Sequence, residues 1–346
     1  MTISEDGPVA EGASLNGLRM ADGAAFYHEI DSAQRAQVQA AGRAFVDLTG
    51  GSPCLILAGR LIGGGDLGDP TERRVLRCLE ERFGFPKSAP TETINVMLDS
   101  TGGPLDSAFR TVLYLSRYAK KINVYVPRRA KSASTLIAVG ANTIFMSPFS
   151  ELGPLDTQIR DPRNPADYMS ALDCYQSIDY VRDFGFGTLS QALKHLAAMT
   201  QGKIPLIDSV NAAAEFAIGS ITPLLSQTKS LDFGAWGRSL KIGERYAQVL
   251  LTRGAKVDQA SAGKIASRLV YGYTHHLFPI DIVEARELGL NPQEMPAKQY
   301  ESLVEIVNIC AEAVCVEFID GHDEAAGPGA GSSTEARPEA AVPAEA

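Results

Sequence analysis

The sequence predicts an α/β fold with a helical C-terminal half, on three observations. Strand-like apolar runs alternate with helix-period segments from residue 53 to residue 146, the pattern of βαβ crossovers in a largely parallel sheet. Glycine and serine clusters stand where strand gives way to helix, at Thr101-Gly102-Gly103 and at Lys131-Ser132-Ala133-Ser134. From residue 168 to residue 253 the signals are mainly helical.

Taken in order, residues 1–25 read as a flexible N-terminus and a first helix covers 31–48. Pro53-Cys54-Leu55-Ile56-Leu57-Ala58 is a core strand. The loop at 60–70 carries Gly63-Gly64-Gly65 and Asp66. It has neither the Lys-Ser or Lys-Thr of a phosphate-binding loop nor the spacing of a dinucleotide fingerprint, so it reads as a mobile loop. A helix over 71–83 and a buried strand over 94–98 follow. The turn Asp99-Ser100-Thr101-Gly102-Gly103-Pro104 then leads into an amphipathic helix over 105–118.

The β-branched run 122–126 is stopped by Pro127, and the chain passes through Ala130-Lys131-Ser132-Ala133-Ser134-Thr135 into a short apolar helix over 136–141. Asp161-Pro162-Arg163-Asn164-Pro165 reads as a turn-rich linker. Helices are expected over 189–199 and 209–228, within 281–289, and lastly over 299–318. Beyond residue 319 the chain is rich in Gly, Ala, Pro and Glu, too poor in apolar groups to bury a core, and reads as a disordered tail. The expected organisation is thus an α/β core over 26–160 and a helical extension over 161–318.

With 346 residues and 45% hydrophobic side chains the chain can fill a sizeable core. A net charge of -9 and a pI near 5.2 disfavour a sequence-independent grip on phosphate backbones, so no nucleic-acid partner is expected. Cys54, Cys78, Cys174, Cys310 and Cys315 are odd in number and form no C-x-x-C pair, which points to reduced thiols rather than a disulfide framework or zinc site. The first residues are acidic and mixed, and no uninterrupted apolar run approaches the length of a membrane span. A cytoplasmic protein without a membrane anchor is expected.

Ser132 stands at the entrance to a buried helix. The placement suits a nucleophile, because unpaired backbone N–H groups there can stabilise an oxyanion beside the hydroxyl. A plain N-cap is the alternative reading. Upstream, Gly102 and Gly103 allow a backbone N–H to approach a ligand closely.

The order strand, T-G-G, helix, strand, A-x-S-x-x-T-L-I-A, strand, L-G-P-x-D-x-Q-I spans roughly residues 50 to 160. It resembles the serine dehydrogenase proteinase family of the Clp protease and crotonase superfamily, related to signal peptide peptidase A. A second run, Gly272 to Ile280 followed by Glu284-Ala285-Arg286-Glu287-Leu288-Gly289-Leu290, is similar to the family's later histidine signature. The resemblance implies a Clp/crotonase-like βαβ superhelix and an ATP-independent serine peptidase working by acyl transfer on a peptide or protein substrate. It also implies a homo-oligomer. It puts the nucleophile on Ser132, the oxyanion donors on Gly102 or Gly103 and on the N–H of Ala133, and the family's histidine on His276. Ser134 stands where glycine is usual, and Thr157 where proline is.

Serine needs a base, and no histidine lies between His28 and His195, so the Clp-type position is empty. Lys194, His195 and His276 remain. His276 is the expected base, Lys194 the runner-up; Asp156 alone would be a poor base for an alcohol. His275 and His276 diverge in a loop and no third ligand is apparent, so neither metal nor cofactor is expected. Two other readings stay open: a catalytically inactive oligomeric scaffold of the same fold, and a crotonase-like acyl-thioester enzyme.

Overall fold

The computed structural model describes residues 29–61, 70–85, 90–161, 164–227, 229–311 and 313–322. The flexible N-terminus expected over 1–25, the Gly63-Gly64-Gly65 loop and the tail beyond 322 lie outside the described residues. The elements of the first half are α1 (Ser32–Leu48), β1 (Cys54–Ala58), α2 (Thr71–Phe83), β2 (Thr91–Asp99), α3 (Leu105–Tyr118), β3 (Ala119–Val126) and β4 (Arg129–Ala130). They continue with α4 (Ala133–Val139), β5 (Thr143–Met146), β6 (Glu151–Leu152), β7 (Gln158–Asp161) and β8 (Asn164–Ser170). The second half comprises α5 (Ala171–Thr200), α6 (Leu206–Leu225), α7 (Ser230–Arg253), α8 (Gln259–Tyr271), α9 (Ile282–Leu288), β9 (Gln293–Glu294), α10 (Ala297–Ile309) and β10 (Cys315–Ile319).

The main sheet runs β10-β1-β2-β3-β5-β9. Its pairs are parallel except β1 with β10, which is antiparallel. Every residue of β1 is buried: Leu55 and Leu57 face the side packed by α2, α3 and α4, while Cys54, Ile56 and Ala58 face α1 and α10. Helices on both faces require a strand apolar throughout rather than alternating, and 53–58 has that character. The fold is therefore α/β with a helical C-terminal half.

Two expectations are corrected. The last helix stops at Ile309 and the chain returns as strand β10, registered from Cys54↔Ile319 to Ala58↔Cys315. Val314-Cys315-Val316-Glu317-Phe318-Ile319 is β-branched and aromatic-rich, and pairing it covers the open edge of β1. Of the linker expected at 161–165, Asp161 is the last residue of β7 and Asn164 and Pro165 open β8, two strands that pair antiparallel with a register shift between Arg160 and Asp161, while 162 and 163 lie outside the described residues. The helix expected over 189–199 is the end of the longer α5, and the one expected over 209–228 is α6.

The topology fixes where the interesting segments meet. β2 and β3 are parallel neighbours, so the turns leaving their carboxyl ends emerge side by side, where open α/β sheets bind ligands. Ser100, just past β2, bridges Ala130, just past β3: Ser100 N donates to Arg129 O at 2.9 Å and Lys131 N to Ser100 O at 2.9 Å.

Candidate active site

That bridge lays Gly102-Gly103 against Ser132. A Cβ on Gly102, which has φ +100, would lie 2.8 Å from Lys131 O, 2.9 Å from Ser132 Cβ and 3.4 Å from Ala133 N. Glycine is required by both the backbone angle and the space.

Ser132 occupies the N-cap position of α4 but does not act as a cap. Its backbone sits at φ 50, ψ -125 and its side chain makes no capping bond, whereas a serine cap takes extended angles and accepts from the first turn. A non-glycine residue in so sparsely populated a region stores of the order of 1–3 kcal/mol. Serine on a strained strand-to-helix turn is also how a nucleophile elbow presents its hydroxyl. Ser134 differs: it is fully buried, and its Oγ lies 2.6 Å from Lys131 O and 3.2 Å from Ser100 O. Of the two hydroxyls, the structure commits Ser134 to holding the turn.

The two glycines also divide their work. Gly102 N–H donates to Ser100 Oγ at 3.1 Å. Gly103 N–H and Ala133 N–H have no hydrogen-bond acceptor among the described residues. Ala133 opens α4, so its donor belongs to the first turn, which lacks acceptors within the helix. Thr135 pins the turn from below: its Oγ1 lies 2.8 Å from both Ala130 O and Gly153 O and accepts from Gly153 N at 3.2 Å.

A cleft of about 640 Å³ opens over this turn, lined among others by Gly103, Ser132, Thr157, Gln158 and His276. Ile242 and Ser239 of α7 form part of its wall. His276 comes from the loop before α9, far along the chain, and is brought in by an antiparallel bridge. Leu152 N donates to Ile280 O at 2.9 Å and Ile280 N to Leu152 O at 3.1 Å. Behind the imidazole, Asp156 Oδ2 lies 3.4 Å from His276 Nδ1, with side-chain exposures of 5% and 25% respectively. The contact is not a hydrogen bond, and Nδ1 is a buried nitrogen without a bonded partner. Asp156 also accepts from Gln158 Nε2 at 3.2 Å and from Leu172 N at 3.5 Å.

The structure thus brings Ser132, Gly102, Gly103, Ala133 and His276 to one place. It does not bring Lys194 or His195 there: both are exposed positions of α5, and neither lines the cleft. Sequence reasoning missed Asp156 as a partner for a histidine. The L-G-P-x-D-x-Q-I run that holds it was visible, but nothing in the spacing ties it to a residue so far downstream. Among the described residues no group of three or more His, Cys, Asp or Glu is placed to hold a metal. No described helix is long and apolar enough to cross a membrane.

No family model matches the chain, and no curated protein matches it in sequence. Among solved structures it is similar to a mutant of the 1510-N membrane-bound stomatin-specific protease, at a TM-score of 0.39 and 13% identity, over 73% of this chain and 82% of that one. A likeness this shallow bears on neither the activity nor the mechanism of this chain.

Proposed function

We propose that this chain is an ATP-independent serine peptidase of the Clp/crotonase-like superfamily, with Ser132 as nucleophile, His276 as base and Asp156 as the carboxylate that orients it. The observation that carries the reading is Ser132 itself: a strained, uncapped serine in a cleft that His276 also lines, with Asp156 behind the ring. With Nδ1 turned to Asp156, Nε2 is the ring nitrogen left for the cleft. It takes the Oγ proton as Oγ bonds to the scissile carbonyl carbon, and returns that proton to the leaving amine when the C–N bond breaks. Water then attacks the acyl-enzyme by the same route and frees Ser132. The carbonyl oxygen gathers negative charge twice in this sequence. The unpaired N–H groups of Gly103 and Ala133 are the donors for it, and Gly102 serves by its shape rather than its N–H.

One observation favours the alternative of an inactive scaffold: Ser132 Oγ has no hydrogen bond to His276. Catalytic hydrogen bonds are often long before substrate binds, and one experiment decides. A fluorophosphonate carrying a reporter group should label the native protein at a single peptide containing Ser132, and Ser132→Ala should remove the label. No labelling, or labelling elsewhere, would overturn the proposal.

A further inference from the structure

A buried ammonium joins the two halves of this site. Lys131 immediately precedes Ser132, and its carbonyl accepts from Ser134 N at 3.0 Å and Ser134 Oγ at 2.6 Å. Its side chain is 7% exposed and runs away from the nucleophile's turn toward the histidine loop. There Nζ lies 2.9 Å from Glu151 Oε1, 3.2 Å from Leu152 O, 3.4 Å from Phe278 O and 3.5 Å from Leu277 O. Leu277 and Phe278 are the two residues after His276. The stem passes over Gly153, where a Cβ would stand 2.8 Å from Lys131 Cδ.

An ammonium offers three donors and no acceptor, and every group around this one is an acceptor. A buried cation must be paired and hydrogen-bonded; Glu151 supplies the charge and takes one donor, and the carbonyls of Leu152, Leu277 and Phe278 share the other two. Two of those carbonyls belong to the segment that carries His276. At its far end this segment is held by the Leu152–Ile280 bridge. Lys131 holds it directly after His276, at Leu277 O and Phe278 O, and does so from the residue bonded to the nucleophile.

We infer that Lys131 is a positioning residue that sets His276 against Ser132, and that it is not the proton acceptor. The inference rests on the Ser132–His276 reading, and its test separates the two. Lys131→Met keeps the stem and removes the donors. It should lower kcat on a cleaved peptide by about a hundredfold, the scale of a misplacement of roughly 1 Å, with KM within about twofold. In a His276→Ala background the same change should cost no more than about threefold, because a group acting through the histidine has nothing left to position. Independently of catalysis, amide hydrogen exchange over residues 275–280 should rise about tenfold or more in Lys131→Met, and also in Lys131→Met/Ser132→Ala. Multiplicative losses in the double variant, or unchanged exchange at 275–280, would overturn the inference. So would a Lys131→Met protein as inert as Ser132→Ala beside an active His276→Ala. If Lys131→Met does not fold, Glu151→Gln takes its place with the same pattern at about a tenfold loss, set by the same displacement argument. Failure of the wild type to label at Ser132 would sink the peptidase reading, while the exchange measurement still decides whether Lys131 holds the loop.

Discussion

Replacing Gly102 by alanine tests the geometry from which the site is built. The new methyl would sit at φ +100, 2.8 Å from Lys131 O and 2.9 Å from Ser132 Cβ. Forcing a residue with a Cβ into the left-handed region costs about 1–2 kcal/mol, and overpacking against rigid neighbours about 1–3 kcal/mol more. The walls here are a backbone carbonyl and the Cβ of Ser132, so neither yields by a change of rotamer. A total of roughly 2–5 kcal/mol should lower Tm by roughly 5–15 °C in a domain of this size. Whatever strain is relieved moves Ser132 away from Gly103, so fluorophosphonate labelling should slow by about a hundredfold. Gly50→Ala is the control. It also has positive φ, at +73, but nothing lies within 4 Å of its Cβ position. It should show the backbone cost of about 1–2 kcal/mol alone, with labelling unchanged. A Gly102→Ala protein that melts within about 1 °C of wild type and labels at the wild-type rate would refute the contact argument.

Ser134→Ala should keep most of the labelling that Ser132→Ala removes, and lose about 1 kcal/mol of stability in urea unfolding through its buried hydrogen bond; the reverse pattern would reassign the nucleophile. Asp156→Asn should slow labelling by about 10²–10⁴, as expected when a carboxylate that orients a catalytic histidine is neutralised, and an unchanged rate would remove Asp156 from the mechanism. Burial pushes the Cys54 thiol up to about 12, so its thiolate is scarce at pH 8 and grows only as pH rises toward that value. Iodoacetamide at pH 8 should leave Cys54 unmodified in the folded chain and modify it in denaturant, read by mass mapping. Ending the chain at residue 313 removes β10 and bares the edge of β1; it should give aggregated protein by light scattering, and a monodisperse, folded product would contradict the role given to that strand.

How much of this was legible beforehand varies with the range of the interaction concerned. The stop at Pro127 and the apolar run behind Ser132 place the serine at a helix entrance, because both signals are local. Its strained backbone is not local, since it depends on the parallel neighbour that packs Gly102 beneath it. The glycine pair was visible, but which N–H is free is decided by Ser100 Oγ. In the last helix, apolar positions 303, 306, 307, 310 and 314 keep helical spacing past its real end, so only the vacant edge of β1 reveals a strand. At 161–165 the prolines read as a linker, yet Pro165 falls in β8 beside the register shift of a two-stranded pair. A missing donor is tolerated at such a place.

The two halves of the site are held with unequal firmness. Ala130, Ala133 and Leu136 around Ser132 belong to the main core, and Gly103 and Ala133, the proposed oxyanion donors, follow elements anchored to the main sheet. That half is set by folding, whatever occupies the cleft. The histidine arrives on a loop whose next two side chains are open to solvent, Leu277 at 61% and Phe278 at 36% exposure, although Tyr273 and Ile280 on either side of them are buried. Segments with few buried contacts sit at the low end of local stability. This loop is restrained by the Leu152–Ile280 bridge, by the Lys131 ammonium on Leu277 O and Phe278 O, and by Tyr273, which donates to Glu284 Oε1 at 2.8 Å and packs its ring 4.8 Å from that of Phe278. A substrate that covered Leu277 and Phe278 would bury apolar surface and, by the same contact, close the remaining freedom of His276. On the proposed peptidase reading, binding energy from parts of a peptide remote from the scissile bond would then be spent on aligning His276, and would raise kcat rather than only lower KM.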